Sequence, residues 1–81
     1  MSRIDALVNI DRKAWHACNR EQCEALCGWR DFAEYAFGTP TESTRELAMV
    51  AIAELLTLSL SQDESDILET WKMMLGVKRA A

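Results

Sequence analysis

Apolar residues recur at steps of three and four positions along four stretches of the chain, which is the spacing of amphipathic helices. We predict a first helix from Arg3 to Ala17, with Ser2 as its N-cap. Asp11 falls on the apolar face of this helix, so we expect it to lie at an edge or to find a partner. The residues expected to face the core are Ile4, Leu7, Val8, Ala14, Trp15 and Cys18.

The second predicted helix begins near Asn19, which forms a capping-box pattern with Gln22 three residues later. Gly28 either ends a short helix or lies within a longer one, since one glycine costs only about 1 kcal/mol in a helix. Gly38 and Pro40 mark the end of this stretch. Its apolar residues are Cys23, Leu26, Cys27, Trp29, Phe32, Ala33, Ala36 and Phe37.

The third helix is predicted to start at a capping box formed by Ser43 and Glu46. Residues 47–60 are then apolar on almost every side, relieved only by Glu54, Thr57 and Ser59. A helix of this kind needs burial on most of its surface. Three other short helices cover only part of it, so we expect dimerisation to cover the rest.

The fourth helix is predicted to open with a second capping box, formed by Ser61 and Glu64. Gly76 is expected as a left-handed C-cap, with Val77 supplying an apolar contact and Lys78 and Arg79 near the negative helix end. Its apolar stripe is Ile67, Leu68, Trp71, Met74 and Leu75. Together the four segments predict one all-α domain over residues 1–81, a small bundle of about four helices completed by dimerisation.

The net charge of −4 over 81 residues argues against nucleic acid and anionic membranes as partners, because both attract basic surfaces. The cysteines number three, and the first residues show no signal-peptide pattern. Free thiols of this kind are typical of a reducing compartment. We therefore expect a cytoplasmic protein.

The best candidate for a chemical site is the set His16, Cys18, Cys23 and Cys27, which offers the four N and S donors that zinc requires. No tight turn separates the donors into pairs, and side chains two residues apart on a helix point in different directions. Free cysteines are also among the most buried residue types. We therefore interpret these residues as core thiols plus a solvated histidine, and expect no metal and no cofactor.

Acidic residues gather at the start of the fourth helix, and we expect them to form one exposed negative edge. Two aromatic residues of the second helix are expected to be exposed as interface anchors. No catalytic motif accompanies them, so the chain is predicted not to be an enzyme. The predicted partner-binding residues are Asp63, Glu64, Asp66, Glu69, Trp29 and Tyr35.

These features predict a non-enzymatic protein-binding module that is a homodimer and covers a basic surface of a macromolecular partner. Small acidic helical proteins of this type include inhibitors and regulators of phages and mobile elements. One alternative is a metal- or thiol-based sensor built on the cysteines and His16. Another is a small DNA-binding transcriptional regulator, although the third helix is too apolar, and the fourth too acidic, for a recognition helix.

Overall fold

The computed structural model describes residues 2–76, and these form an all-α bundle of four helices. The helices are α1 (Arg3–Ala17), α2 (Arg20–Tyr35), α3 (Glu42–Leu55) and α4 (Gln62–Gly76). No strand occurs within residues 2–76. The predicted fold class is therefore confirmed, while dimerisation stays a prediction.

Side-chain caps fix the starts of the first two helices as predicted. The Ser2 hydroxyl accepts a hydrogen bond from the Asp5 backbone N–H at 3.1 Å. Asn19 and Gln22 form a reciprocal capping box, in which each side chain accepts from the other residue's backbone N–H, at 2.8 and 3.0 Å. These bonds satisfy N–H groups that have no partner within the helix, so they define where each helix begins.

Gly28 lies within a continuous α2 and does not divide it. A side chain at this position would meet the Thr44 methyl group at 3.7 Å, an ordinary contact, so packing does not force a glycine here. The helix ends where Ala36 adopts a left-handed conformation with a φ of 53°. The Ala36 N–H is directed back to the carbonyls of Asp31 and Phe32, which terminates the helix before Gly38.

The bounds of α3 differ from the prediction at both ends. Thr41 is the N-cap and accepts from the Thr44 N–H at 3.1 Å, so the predicted capping box at Ser43 is wrong. The helix ends at Leu55, five residues before the predicted end. Its buried residues are Ala48, Ala51, Ile52 and Leu55. Since Ala53 and Glu54 are exposed, α3 is amphipathic and does not itself require a second chain to cover it.

The core-facing stripe predicted for α1 is wrong at three positions. Ile4, Val8 and Trp15 are exposed, with Ile4 at 71% and Trp15 at 70% of their full surface. Leu7 and Ala14 face the core as predicted, together with Ala6 and Ile10, which the prediction did not include. The helix thus carries two apolar faces, and the bundle buries one of them.

The core draws large side chains from α2 and α4, with Leu26 and Trp29 packed in the same cluster as Leu68 and Trp71. Of the stripe predicted for α4, three residues are buried, Leu75 is half-buried and Met74 is 36% exposed. Gly76 is the last helical residue and lacks the predicted left-handed conformation. The expectations for Val77, Lys78 and Arg79 lie outside the described residues.

Glu64 is a buried carboxylate, not the exposed member of a negative edge that the sequence predicts. Its side chain folds back to accept the Ser61 N–H at 3.0 Å, while the Ser61 hydroxyl accepts the Glu64 N–H at 3.2 Å. The capping box is therefore confirmed. The same carboxylate accepts from the Lys13 ammonium at 2.5 Å, which anchors α1 to the start of α4.

Hydrogen bonding to Lys13 is the main cause that holds the pKa of Glu64 below its ordinary value, against the opposing effect of burial. A carboxyl whose pKa is lower in the folded state stabilises the fold above its unfolded pKa of about 4.3. This stabilisation is lost as the pH falls through the lower, folded pKa.

Replacing Lys13 by Met is expected to destabilise the protein more than replacing Glu64 by Gln. Lys13→Met leaves a carboxylate that is 2% exposed without its cation, which costs about 3 kcal/mol. Glu64→Gln keeps an oxygen for the Ser61 N–H and leaves Lys13, a third exposed, free to reach water, so we expect about 1 kcal/mol. Urea unfolding at neutral pH measures both values. Equal losses of unfolding free energy would show that the ion pair with Lys13 does not offset the cost of burying the Glu64 carboxylate.

The pH dependence gives a second expected outcome for the same pair. The unfolding free energy of the native chain should fall as the pH drops below about 4.3. Glu64→Gln should lose less over that interval, because its side chain does not titrate. Glu34 titrates in both proteins, so the difference between the two curves isolates Glu64. Parallel curves would contradict the assignment.

Candidate partner-binding surface

The outer side of α4 carries three exposed carboxylates, Asp63, Asp66 and Glu69, which we call the acidic edge. Asp66 and Glu69 lie three residues apart and are neighbours on one helix face. Gln62, one helical turn before Asp66, donates a hydrogen bond from its side-chain amide to Asp66 Oδ1 at 2.7 Å. The predicted negative edge is thus present in three of its four members, with Glu64 turned into the core.

A cation, Arg3, lies close to this edge, but it already forms an ion pair with another carboxylate. Arg3 lines a shallow cleft together with Asp63, Asp66, Ile67 and Thr70. Its guanidinium donates from Nε and Nη2 to the two carboxylate oxygens of Glu34, both at 2.7 Å. A bidentate pair of this kind leaves little positive charge to offset neighbouring carboxylates. Arg3 therefore offsets little of the negative charge of the acidic edge.

Glu34 holds Arg3 in this position from the interior side. Its carboxylate also accepts the Trp71 indole N–H at 3.0 Å, so one side chain joins α1, α2 and α4. Hydrogen bonding to Arg3 is the main cause that keeps the pKa of Glu34 below its ordinary value. The group is consequently ionised at neutral pH and keeps Arg3 paired.

Met73 adds an exposed apolar side chain to the acidic face of α4. It is 71% exposed and follows Glu69 by one helical turn. Met73 was not among the predicted site residues, because the prediction for α4 followed only the apolar stripe that faces the core. The signal was the spacing of Asp66, Glu69 and Met73, which places all three on the opposite side of the helix.

The two aromatic residues predicted as exposed anchors have different positions. Trp29 is 1% exposed, so the prediction for this residue is wrong. Its ring packs against Phe32 at 5.3 Å between centroids, and the Arg45 guanidinium carbon lies 4.9 Å from its ring centroid. Continuity of α2 through Gly28 explains the error, because the helix carries the indole inward where a turn would have carried it outward.

Tyr35 is exposed as predicted, at 64% of its full surface. It is the last residue of α2 and lies near Arg3. Arg3 also lines the cleft with Asp66, so this arginine lies near both Tyr35 and the acidic edge. Phe37, which is 71% exposed, follows two residues later and was not among the predicted site residues.

The cysteines behave as packing residues with weakly acidic thiols. Cys23 is buried and its thiol donates to the Ala14 carbonyl at 3.1 Å, while Cys18 and Cys27 are half-buried. Burial is the main cause that raises the pKa of all three thiols. Because the thiolate is both the nucleophile and the metal ligand, these environments oppose either use.

His16 lies exposed near the end of α1, whereas Cys23 is in the core. Within residues 2–76, no group of three or more histidine, cysteine or acidic side chains is placed to hold a metal ion. The geometry thus gives no observation in favour of the metal-sensor alternative.

Comparison of the chain with protein-family models, with curated proteins and with solved structures finds no match in any of the three. No helix of the described residues has the length and apolar character needed to cross a bilayer. The chemistry of the exposed side chains is the basis on which a function is proposed.

Replacing Cys23 by Ala is expected to lower the unfolding free energy by about 1 kcal/mol, the scale of a modest core truncation. Cys27→Ala is the matched control and should cost less, because Cys27 is only half-buried. Urea unfolding compares the two, and a chelator should leave the Tm of the native protein unchanged. Stoichiometric zinc in purified protein, or loss of helix on chelation, would contradict the assignment of these thiols to packing.

Proposed function

We propose that this chain is a non-enzymatic binding protein that covers a basic surface of another macromolecule with the acidic edge of α4 and the neighbouring Met73. One observation carries the proposal: exposed carboxylates stand in a row beside exposed Met73, and the nearby arginine is already paired. Binding of this kind would block or modify the partner's own contacts, which is the action of a small inhibitor or regulator.

The composition of this face suits recognition of a protein. Carboxylates raise the association rate with a basic surface and disfavour acidic competitors. Met73 supplies a flexible, polarisable side chain that adapts to an apolar contact, and Tyr35 supplies an amphipathic ring. The partner we propose is therefore a protein with a basic surface that contains an apolar depression.

The exposed side of α3 also supports a protein partner over DNA. Glu42, Glu46 and Glu54 are exposed along this helix. Carboxylates on α3 and α4 would repel phosphates, whereas a DNA-reading helix needs cationic or amide side chains. We accordingly propose a basic protein, and not a nucleic acid, as the partner.

Reversing two charges of the acidic edge tests the proposal. The variant carries Asp66→Lys and Glu69→Lys, and the matched control carries Glu21→Lys and Glu46→Lys, which change the net charge equally at exposed positions elsewhere. All three proteins are used to capture partners from a lysate of the source cells, and captured proteins are identified by mass spectrometry. A partner retained by the native chain and the control, but lost by the acidic-edge variant, is the expected result.

Association kinetics with that partner then test the electrostatic mechanism. We expect the acidic-edge variant to associate at least about tenfold more slowly at low salt, with a weaker salt dependence, because steering by charge is screened by ions. The control should associate at nearly the native rate. Circular dichroism should show the same helix content in all three proteins, because exposed charges contribute little to folding. Identical capture and identical rates for the three proteins would overturn the proposal.

A further inference from the structure

The outer face of α1 is an apolar surface that the bundle leaves uncovered. Ile4 is 71%, Val8 48% and Trp15 70% exposed. Ile4, Val8, Asp11 and Trp15 are spaced by four, three and four residues, so they form one row along the helix, which we call the outer seam. The seam spans nearly the whole of a helix that is about 22 Å long.

The one polar residue of the seam, Asp11, is held in an ion pair. Asp11 is paired with Arg30 of α2, and its side chain is 31% exposed. The pair lies at the side of α1 that faces α2. A partner approaching the outer seam therefore meets a paired carboxylate between Val8 and Trp15, and the Arg30 that pairs with it also pairs with Asp31.

One flank of the seam carries two unpaired charges of opposite sign. Asp5 follows Ile4 and Arg12 follows Asp11, so the two charges stand seven residues apart on the same side of the row. Both are exposed, and together with Val8 they line one shallow depression on α1. Neither forms an ion pair within residues 2–76. The flank thus presents a negative end and a positive end.

We propose that the outer seam binds the outer seam of a second copy of this chain, with the two α1 helices antiparallel about a two-fold axis. When identical helices run in opposite directions, the start of a flank meets the end of the same flank on the other helix. Asp5 then lies opposite Arg12 of the second copy, and the symmetry forms this ion pair twice. In the seam, Ile4 lies opposite Trp15 of the second copy, and Val8 lies opposite Asp11.

The charge pattern selects the antiparallel arrangement over the parallel one. Parallel helices in register would place Asp11 against Asp11 and would set the flank with Asp5 and Arg12 against the opposite flank of the second copy. The opposite flank of the seam, where Leu7 and Ala14 lie, is already buried in the bundle and supplies no compensating pair. Self-complementarity thus points to a copy of the same chain as the occupant.

The proposal places the dimer contact on α1, whereas the sequence predicted it from α3. A contact made mainly by one helix of 15 residues is smaller than the standard stable interface, so we expect a dissociation constant of about micromolar. The dimer would therefore dissociate on dilution.

Sedimentation equilibrium of the full 81-residue chain across the micromolar range tests the proposal. We expect a monomer–dimer equilibrium with no larger species, because a two-fold interface closes on itself. Trp15 reports the same event, since Trp29 and Trp71 are buried in the monomer and Trp15 is exposed. Quenching of tryptophan fluorescence by acrylamide should weaken as the protein concentration rises.

A charge exchange distinguishes this interface from any other. Arg12→Glu places Glu opposite Asp5 twice and should raise the dissociation constant about tenfold, on the scale of exposed ion pairs. Adding Asp5→Arg to that variant restores two pairs of reversed polarity and should return the dissociation constant to near the native value. Val8→Glu should abolish the dimer. All of these positions are exposed, and circular dichroism should show unchanged helix content.

Two matched variants place an acid on other exposed apolar positions, Val50→Glu on α3 and Met73→Glu on α4. Neither should alter the dimer. A monomer at every concentration, loss of the dimer in Val50→Glu or Met73→Glu with retention in Val8→Glu, or failure of the double charge exchange to restore association would each overturn the proposal. These outcomes are measured on the oligomeric state of the chain alone, whereas the acidic-edge test substitutes Asp66 and Glu69 and measures binding to a different partner, so each proposal can fail without the other.

Discussion

The rotation of α1 about its own axis is the constraint on which both exposed surfaces depend. Ion pairs tie this helix to the bundle along its length, joining Arg3 to Glu34, Asp11 to Arg30 and Lys13 to Glu64. The Glu34 and Glu64 side chains are only 10% and 2% exposed. An unpaired carboxylate at that depth is costly, so a rotation of α1 that withdrew either cation would be strongly opposed.

This constraint decides which of two apolar faces α1 buries. Ala6, Leu7, Ile10 and Ala14 turn inward although the outer seam contains larger side chains. Area alone would favour burying Trp15 and Ile4. Buried ion pairs often add little net stability, but they discriminate between alternative packings, because each wrong packing leaves a charge unsatisfied. The small inward side chains also let α1 approach the core closely.

The same pairs shape the electrostatics of the acidic edge. Arg3 lines the same cleft as Asp63 and Asp66, and its guanidinium is paired with Glu34 through two hydrogen bonds. If Glu34 were neutral, Arg3 would be available to the edge and would reduce its negative potential. An interior side chain therefore sets the charge of an exterior surface.

The sequence predicted what is local and failed where the outcome depends on packing between helices. The four helices and three of their N-caps follow from residues within four positions of one another, such as Asn19 with Gln22. Glu64 satisfied a correct capping pattern, yet its burial depended on Lys13, which is 51 residues away. Trp29 and the face of α1 were misplaced for the same reason. Exposure of Asp66, Glu69 and Tyr35 was predictable, because their positions opposite an apolar stripe or at a helix end settle it locally.

The two proposed surfaces share no residue, and their combination has a physical consequence. A two-fold pair through α1 would carry two copies of the acidic edge, one on each α4. Two weak sites on one particle bind a partner with repeated basic surfaces more tightly than one site does, because the second contact forms at a high effective concentration. The advantage exists only above the concentration at which the chain pairs. Binding to a repeated or oligomeric partner would therefore rise more steeply with protein concentration than binding to a single basic site, and Val8→Glu would remove that steepness without altering the affinity of one edge.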